Sequence, residues 1–222
     1  MKVTFDHSQP AAKNLVSFYF SKPEGLRYIA GQFIELYLPH DNPDSHGERH
    51  WFTLSSSPSE DHLAITTKII EPISSFKSTL LKLKPGVEVN LADPMGDFVL
   101  PKDPSIPLVF IAGGIGCTPY RSIIKYLIDC GEERNITLIY LAASNSDVAF
   151  DDVYSKLGDK FIKIIGAQAD ARQIHKYIDD TSGYTYISGP EPMVEQLRDG
   201  LVDLGVGRQA IYTDFFHNYV NF

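Results

Sequence analysis

The sequence holds few of the residues that build covalent or metal-bound scaffolds. Only two of its 222 residues are cysteines, Cys117 and Cys130. Two cysteines exclude a disulfide framework and a four-cysteine iron–sulfur site within this sequence. The seven histidines show no metal-ligand spacing, so we predict no metal site. A reducing, cytoplasmic compartment is the simplest expectation from this cysteine content.

Long apolar runs and an excess of positive charge are also missing. No run approaches the roughly 20 apolar residues of a membrane span, and no signal-peptide core follows Met1. The formal net charge is −8, which argues against nucleic acid or an anionic membrane as a main partner. Hydrophobic content of 43% and charged content of 22% are ordinary for a globular protein.

The most informative stretch is an apolar run followed by glycines. Residues 107–112 predict a strand buried on both faces of a parallel sheet. The glycine-rich loop 113–118 breaks the run, and Pro119 suits the first turn of a helix. A glycine loop between a strand and a helix N-terminus favours phosphate binding. Tight packing alone would also require glycines at such a turn.

The first hundred residues read as short strands separated by turns, which favours an antiparallel barrel or sandwich. One helix interrupts them after the cap candidates Ser74 and Ser75. The backbone N–H groups there could bind a phosphate, although a simple cap is the plainer interpretation. The strands are predicted at 15–20, 32–38, 51–54, 63–70 and 87–91.

After the proline-rich joint at 101–107, the pattern changes to alternating strands and helices. This alternation predicts a doubly wound, five-stranded parallel sheet that binds ligands at the carboxyl ends of its strands. We therefore predict two domains, a barrel at 1–102 and an α/β domain at 105–222. Its strands are predicted at 107–112, 136–142, 161–166, 184–188 and 209–213, and its helices at 119–130, 148–157, 171–180 and 191–204.

The stretch 49–58 brings a cation, two aromatic rings and several hydroxyl groups together within ten residues. Without further context, it could equally be a barrel strand with a core aromatic and a serine-rich turn. Cys117 lies inside the glycine loop, where it could contact a cofactor or could simply pack.

Four motifs in order resemble those of the ferredoxin–NADP reductase family. The loop 113–119 reads G-G-x-G-x-T-P, and 188–193 reads S-G-P-x-x-M, with Ser188 where cysteine is common. The chain ends near an acidic-x-aromatic motif at 214–216, and 49–53 is similar to the flavin strand R-x-[YF]-[ST]. The resemblance covers nearly the whole chain and implies a flavin-binding antiparallel barrel followed by a nicotinamide-nucleotide domain.

The resemblance also implies roles for single residues. Phe52 would cover the flavin ring and Thr53 would face its reactive nitrogen. Either Arg49 or His50 would contact the flavin phosphate, because the arginine lies one position too early. Ser188 and Asp214 would frame the nicotinamide together with Thr118, and with Thr53 they are the catalytic candidates. The cofactor-binding candidates are Arg49, His50, Phe52, Thr53, Leu54, Ser55, Thr66, Lys68, Ser74, Ser75, Gly113, Gly114, Gly116, Thr118, Pro119, Asn145, Gly189, Pro190, Met193 and Phe216.

The implied activity is transfer of hydride from NADH or NADPH to FAD, with electrons passed to an external acceptor. FAD is expected rather than FMN, because Ser74 and Ser75 suit a pyrophosphate. NADH is expected rather than NADPH, because 144–147 holds no lysine or arginine, although Arg172 could supply a cation. The alternatives are an electron-relay or regulatory subunit of a larger complex, and a nucleotide-binding module with no redox role. The acceptor and the oligomeric state stay open.

Overall fold

The computed structural model describes residues 1–45, 47–166, 170–178 and 183–216. The first half forms a six-stranded antiparallel sheet in the order β4-β3-β6-β1-β2-β5. A bridge between Leu54 and Ile65 joins the two edge strands, so the sheet closes into a barrel. The strands are β1 (Lys2–Ala12), β2 (Leu15–Ser21), β3 (Phe33–Tyr37), β4 (Arg49–Thr53), β5 (His62–Lys68) and β6 (Glu88–Leu91).

Helix α1 (Ser75–Leu81) lies between β5 and β6 and packs against the inside of the barrel. It buries Phe76 and Leu80 in the same apolar cluster as Phe18, Ile34 and Leu63. The predicted helix after Ser74 is confirmed. Ser74 caps it, because its hydroxyl accepts a hydrogen bond from the Lys77 backbone N–H at 3.3 Å.

The second half forms a five-stranded parallel sheet in the order β11-β10-β7-β8-β9. The predicted antiparallel barrel followed by a parallel α/β sheet is therefore confirmed. The strands are β7 (Leu108–Gly113), β8 (Ile136–Ala142), β9 (Phe161–Ile165), β10 (Tyr184–Pro190) and β11 (Ile211–Phe216), and the helices are α2 (Thr118–Cys130), α3 (Asp151–Tyr154), α4 (Ala171–His175) and α5 (Glu191–Asp203).

Two predicted helices are shorter than expected. The helix expected at 148–157 is the four-residue α3, which continues as a 3-10 turn over Ser155–Lys160. The helix expected at 171–180 is α4, which ends at His175, and residues 179 and 180 lie outside the described ranges. Phe150 precedes α3 in the left-handed conformation, with φ 59°, so regular helix cannot extend back to residue 148.

Apolar side chains cover both faces of the parallel sheet. One face buries Phe110, Tyr120 and Ile123, and the same cluster includes Leu15 and Phe98 from the first half of the chain. The opposite face packs against α4 and α5. Because the two halves share a hydrophobic cluster, they pack as neighbours, while the exact boundaries at 102 and 105 stay predictions. Within the described ranges, no helix combines the length and apolarity that crossing a membrane requires.

Candidate functional site

The glycine loop lies at the carboxyl end of β7, in the middle of the parallel sheet. A 3-10 turn over Gly114–Cys117 leads into α2, and Pro119 lies in the first turn of that helix. The Thr118 hydroxyl donates to the Ile115 carbonyl at 3.1 Å, so it stabilises the turn from inside. The strand, glycine turn and helix occur in the predicted order.

One glycine of this loop is required by a close contact with backbone, and a second lies against a flexible side chain. A Cβ at Gly116 would lie 2.1 Å from the Ser188 carbonyl oxygen, and one at Gly113 would lie 2.4 Å from Met193 Sδ. Gly114 differs, because it adopts φ +52° and a Cβ there would meet nothing within 4 Å. Packing against backbone therefore accounts for Gly116, and Gly113 faces the movable Met193 side chain. The open backbone at Gly114 offers room for a ligand.

The end of β10 meets the end of β11 beside this loop. Ser188 pairs in register with Asp214, and its hydroxyl donates to Asp214 Oδ2 at 3.3 Å. Burial raises the pKa of Asp214 to about 6, and the hydrogen bond from Ser188 opposes part of that rise. Gly189 and Pro190 continue the strand in register with Phe215 and Phe216. Two of the three predicted catalytic residues are thus direct neighbours.

The turn after β8 was expected to hold the adenosine ribose. Asn145 is exposed there, at the start of a 3-10 turn over Asn145–Asp147. Asp147 Oδ2 accepts a hydrogen bond from the Ser144 hydroxyl at 2.5 Å, which orients the carboxylate toward its own turn. Arg172, the alternative cation, is exposed on α4.

The candidate flavin strand β4 places its side chains alternately on two faces. His50 and Phe52 point into the barrel, where their rings lie 4.2 Å and 6.0 Å from the ring of Phe76. Arg49 points the other way, donates to Glu35 Oε2 at 2.9 Å and stacks over the ring of Tyr37. His50 is thus the member of the pair that lies against α1, the helix where the flavin phosphate was expected.

The outer face of β4 carries an aromatic residue that the sequence motif did not assign. Trp51 is 68% exposed and stacks on Phe33 at 5.7 Å. Phe52, by contrast, is only 8% exposed and belongs to the barrel core. Thr53 at the end of the strand is also buried.

A carboxylate already occupies the N-terminal amide of α1. The Ser75 backbone N–H donates to Asp44 Oδ2 at 2.7 Å, and the Asp44 backbone N–H donates to the Ser75 hydroxyl at 3.0 Å. The His40 ring also hydrogen-bonds that hydroxyl at 2.9 Å. The helix end therefore accepts an anionic group, as the motif requires, but a flavin phosphate would have to displace Asp44 to reach the Ser75 amide.

The hydroxyl groups predicted to bind flavin on β5 and after β4 bond to one another. Thr66 Oγ1 lies 2.9 Å from Ser55 Oγ and 2.7 Å from Ser17 Oγ, and all three residues are buried. This network rigidifies the barrel wall next to Leu54. Lys68, the last candidate on β5, is half-buried at the end of that strand.

The structure adds a polar contact between the barrel and the α/β half that motif reasoning missed. Arg121 on α2 bonds both carboxylate oxygens of Glu60, and its Nη1 also donates to the Ser55 carbonyl at 3.0 Å. The Ser122 hydroxyl donates to the Ser56 carbonyl at 2.6 Å. Only the proximity of Arg121 to the glycine loop could have drawn attention to it, because its partner lies 61 positions away.

The two cysteines lie in different environments. Burial raises the pKa of the Cys117 thiol to about 12, which fits the packing alternative. Cys130, near the end of α2, is exposed. In the part of the chain that the structure describes, no group of three His, Cys, Asp or Glu side chains could hold a metal ion. The Phe216 side chain and residues 217–222 lie outside that part, so the cofactor contact of Phe216 stays a prediction.

Known proteins with similar sequences include a ferredoxin reductase component and a flavohemoprotein. The chain is 29% identical to the ferredoxin reductase component of 3-ketosteroid-9-alpha-monooxygenase from Mycobacterium tuberculosis, covering 87% of this chain and 56% of that protein. It is 23% identical to a flavohemoprotein from Bacillus thuringiensis, covering 91% of this chain and 57% of that protein. The chain therefore spans little more than half the length of these relatives. No family model matches it.

Solved structures show the same fold. A ferredoxin NADP+ reductase from Neisseria gonorrhoeae with bound FAD and NADP superposes with a TM-score of 0.79 and 18% identity, covering 97% of this chain and 98% of that one. The sequence matches and this shared fold confirm the resemblance to the ferredoxin–NADP reductase family that the motifs indicated.

Proposed function

We propose that this chain is a flavoprotein reductase unit that takes hydride from NADH or NADPH and passes electrons to an external acceptor. The observation that carries the proposal is the joining of two candidate cofactor regions. The serine turn after the flavin strand β4 bonds directly to α2, which begins at the nucleotide loop. Cofactors held by these two regions would lie next to each other, as hydride transfer requires.

The barrel would hold FAD through the end of β4 and through α1. When bound, the flavin supplies the redox chemistry, accepting a hydride and releasing electrons singly or in pairs. Thr53 would face the reactive edge of the ring and Phe52 would line it from the barrel side. His50 would contact the phosphate rather than Arg49, because His50 lies against α1 and Arg49 lies on the opposite face. A pyrophosphate at α1 would displace the carboxylate of Asp44.

The α/β half would hold the nicotinamide nucleotide. Its phosphates would lie on the open backbone at Gly114, at the positive end of α2. The buried pair of Ser188 and Asp214 would frame the nicotinamide, and Thr118 would keep the turn in shape. Asn145 would lie beside the adenosine ribose. These groups would bind and orient the nucleotide.

The electron acceptor is an external protein or small molecule. The relative from Mycobacterium tuberculosis is named as a ferredoxin reductase component, which supports a ferredoxin-type acceptor. The net charge of −8 would repel an acidic ferredoxin on average, so recognition would depend on a local basic surface. The two free cysteines fit a reducing, cytoplasmic setting.

A visible absorption spectrum of the purified protein tests the proposal, recorded before and after NADH or NADPH is added without oxygen. We expect a flavin spectrum, either as purified or after reconstitution with FAD, that bleaches with one of the nucleotides. A flavin spectrum that neither nucleotide bleaches would instead support a relay or regulatory subunit. A colourless protein that FAD cannot reconstitute would leave only a nucleotide-binding module.

A further inference from the structure

The contact between Arg121 and Glu60 is an ion pair that joins the two halves of the chain through two hydrogen bonds. Both side chains are largely buried, with 14% and 12% of their surface exposed. Arg121 Nη2 donates to Glu60 Oε1 at 2.8 Å, and Nη1 donates to the second carboxylate oxygen. The guanidinium therefore binds the carboxylate in a bidentate arrangement. A pair of this kind fixes angle as well as distance.

The barrel side of this contact is itself held rigidly. Glu60 Oε2 also accepts from the Ser57 backbone N–H at 2.6 Å, which folds the serine turn back on the carboxylate. Burial alone would raise the pKa of Glu60, but the hydrogen bonds from Arg121 and the Ser57 amide outweigh burial and hold the pKa below its usual value. Glu60 is therefore ionised at neutral pH.

The contact lies close in sequence to both the candidate flavin strand and the glycine loop. Ser55, whose carbonyl accepts from Arg121, follows Thr53 by two positions, and Arg121 follows Thr118 by three. Ser122, next to Arg121, bonds the Ser56 carbonyl. The flavin strand and the nucleotide loop are thus connected by a few hydrogen bonds, which we name the interdomain clamp (Glu60 and Arg121, with Ser55–Ser57 and Ser122).

An ion pair is an energetically costly contact between two domains. Removing a carboxylate and a guanidinium from water costs free energy that an apolar contact would not require. In return, the directional hydrogen bonds of the ion pair restrict the two domains to one relative orientation. A reaction between two cofactors on separate domains needs that geometry, because a misplacement of about 1 Å can slow a step by roughly 100-fold.

We infer that Arg121 and Glu60 are positioning residues for hydride transfer, because they set the separation between the flavin strand and the nucleotide loop. The inference rests on the proposed function. Neither Arg121 nor Glu60 is itself a cofactor-binding candidate. They act through the serine turn at 55–57, where Arg121 bonds the carbonyl of the candidate Ser55, and through α2. Their loss should therefore change the rate of transfer more than the affinity for either cofactor.

The test is rapid-mixing measurement of flavin reduction at saturating nucleotide in Arg121→Lys and Glu60→Gln. Both variants keep the side chain's approximate volume, and lysine keeps the charge while losing the two-pronged grip. We expect reduction at least tenfold slower, with flavin content and nucleotide Kd within about twofold of the parent. Arg198→Lys is the matched control, because Arg198 pairs with Asp199 on α5, which packs on the opposite face of the parallel sheet. The flavin of this variant should be reduced at the parent rate.

Two further measurements separate positioning from general destabilisation. Guanidinium ion added to Arg121→Ala should restore part of the lost rate, whereas an equal concentration of sodium chloride should not. In protein without nucleotide, hydrogen exchange should accelerate in 55–60 and 116–122 of Arg121→Lys while the amides of β7 and β8 stay protected.

Parent-like reduction rates in Arg121→Lys and Glu60→Gln would overturn the inference. So would a loss confined to flavin content or nucleotide Kd. Failure of the proposed function has a different signature, because the parent protein itself would then bind no flavin or would not be reduced by either nucleotide.

Discussion

Ser188 and Asp214 hold the same register position on the neighbouring parallel strands β10 and β11, and the Ser188 hydroxyl donates to Asp214 Oδ2 at 3.3 Å. Burial raises the pKa of Asp214 to about 6 despite that hydrogen bond. A carboxyl that titrates this close to neutrality, at a strand end where ligands bind in this type of sheet, is a marker of a functional position.

Replacing Asp214 by asparagine should stabilise the folded protein at neutral pH. Because the folded-state pKa is raised from 3.8 to about 6, the stability of the parent falls as pH rises through that interval. Each pKa unit corresponds to about 1.4 kcal/mol, so Asp214→Asn should gain about 2–3 kcal/mol at pH 7 and lose this pH dependence. Urea unfolding across this pH range measures both effects.

The same Asp214→Asn variant should reduce its flavin more slowly with nucleotide, although it is more stable. The parent rate should change between about pH 5 and pH 7, where the carboxyl titrates, and the variant rate should not. Parent-like rates with a parent-like pH profile would make Asp214 a packing residue only.

Alanine at Gly114 and at Gly116 should separate ligand binding from packing. Gly116→Ala puts a Cβ 2.1 Å from the Ser188 carbonyl oxygen, so the nucleotide-free protein should lose about 1–3 kcal/mol or more of stability. Gly114→Ala meets no atom within 4 Å and costs only its left-handed backbone, about 1–2 kcal/mol.

Isothermal titration with nucleotide then distinguishes the two roles of the loop. Gly114→Ala should weaken nucleotide binding at least tenfold, because its methyl group projects into the space proposed for the phosphates. Unchanged nucleotide affinity in Gly114→Ala would mean that the glycines of the loop serve packing and do not make room for the phosphates.

His50→Ala should weaken flavin binding more than Arg49→Ala does. His50 lies against Phe76 of α1, whereas Arg49 pairs with Glu35 on the opposite face of β4. Loss of a charge-assisted phosphate contact corresponds to about 1.5–3 kcal/mol. Fluorescence titration of the flavin-free proteins with FAD measures this difference. If Arg49→Ala weakens flavin binding more than His50→Ala does, the phosphate contact belongs to Arg49 and the prediction is wrong.

NADH should be the better nucleotide. The turn at 144–147 presents Asn145 and a carboxylate held by Ser144, with no cation to bind a 2′-phosphate. Steady-state kcat/KM for both nucleotides decides the question. A tenfold preference for NADPH, about 1.4 kcal/mol, would contradict the prediction and would direct attention to the exposed Arg172.

Local sequence patterns predicted the elements whose residues are buried in a regular way. The apolar run at 107–112 is β7, buried throughout its length, and α2 runs from Thr118 to the residue before Gly131. Gly131 ends α2 in the left-handed conformation, with φ 65°. These features depend on residues that are close together in the chain, so they can be predicted from the sequence alone.

Strand β1, by contrast, could not be predicted from the local sequence. After Phe5 the strand carries Asp6, His7, Ser8 and Gln9, all exposed, so it shows neither an apolar run nor an alternating pattern. Its extended shape follows from pairing with β2, in which Ser8 lies opposite Phe18. The pairing partner supplies the backbone hydrogen bonds that the residues themselves do not favour.

The sequence by itself determined the order of barrel, joint and α/β sheet, and it located the glycine loop, the candidate flavin strand and the acidic-x-aromatic motif at 214–216. Only the tertiary structure decided that Arg121 grips Glu60, that Asp44 meets the α1 amide and that His50 rather than Arg49 faces that helix. Each of these contacts joins residues far apart in the chain or depends on which face of a strand is buried. Such contacts are settled by packing across the whole molecule, because no local pattern records which distant group will satisfy a buried charge.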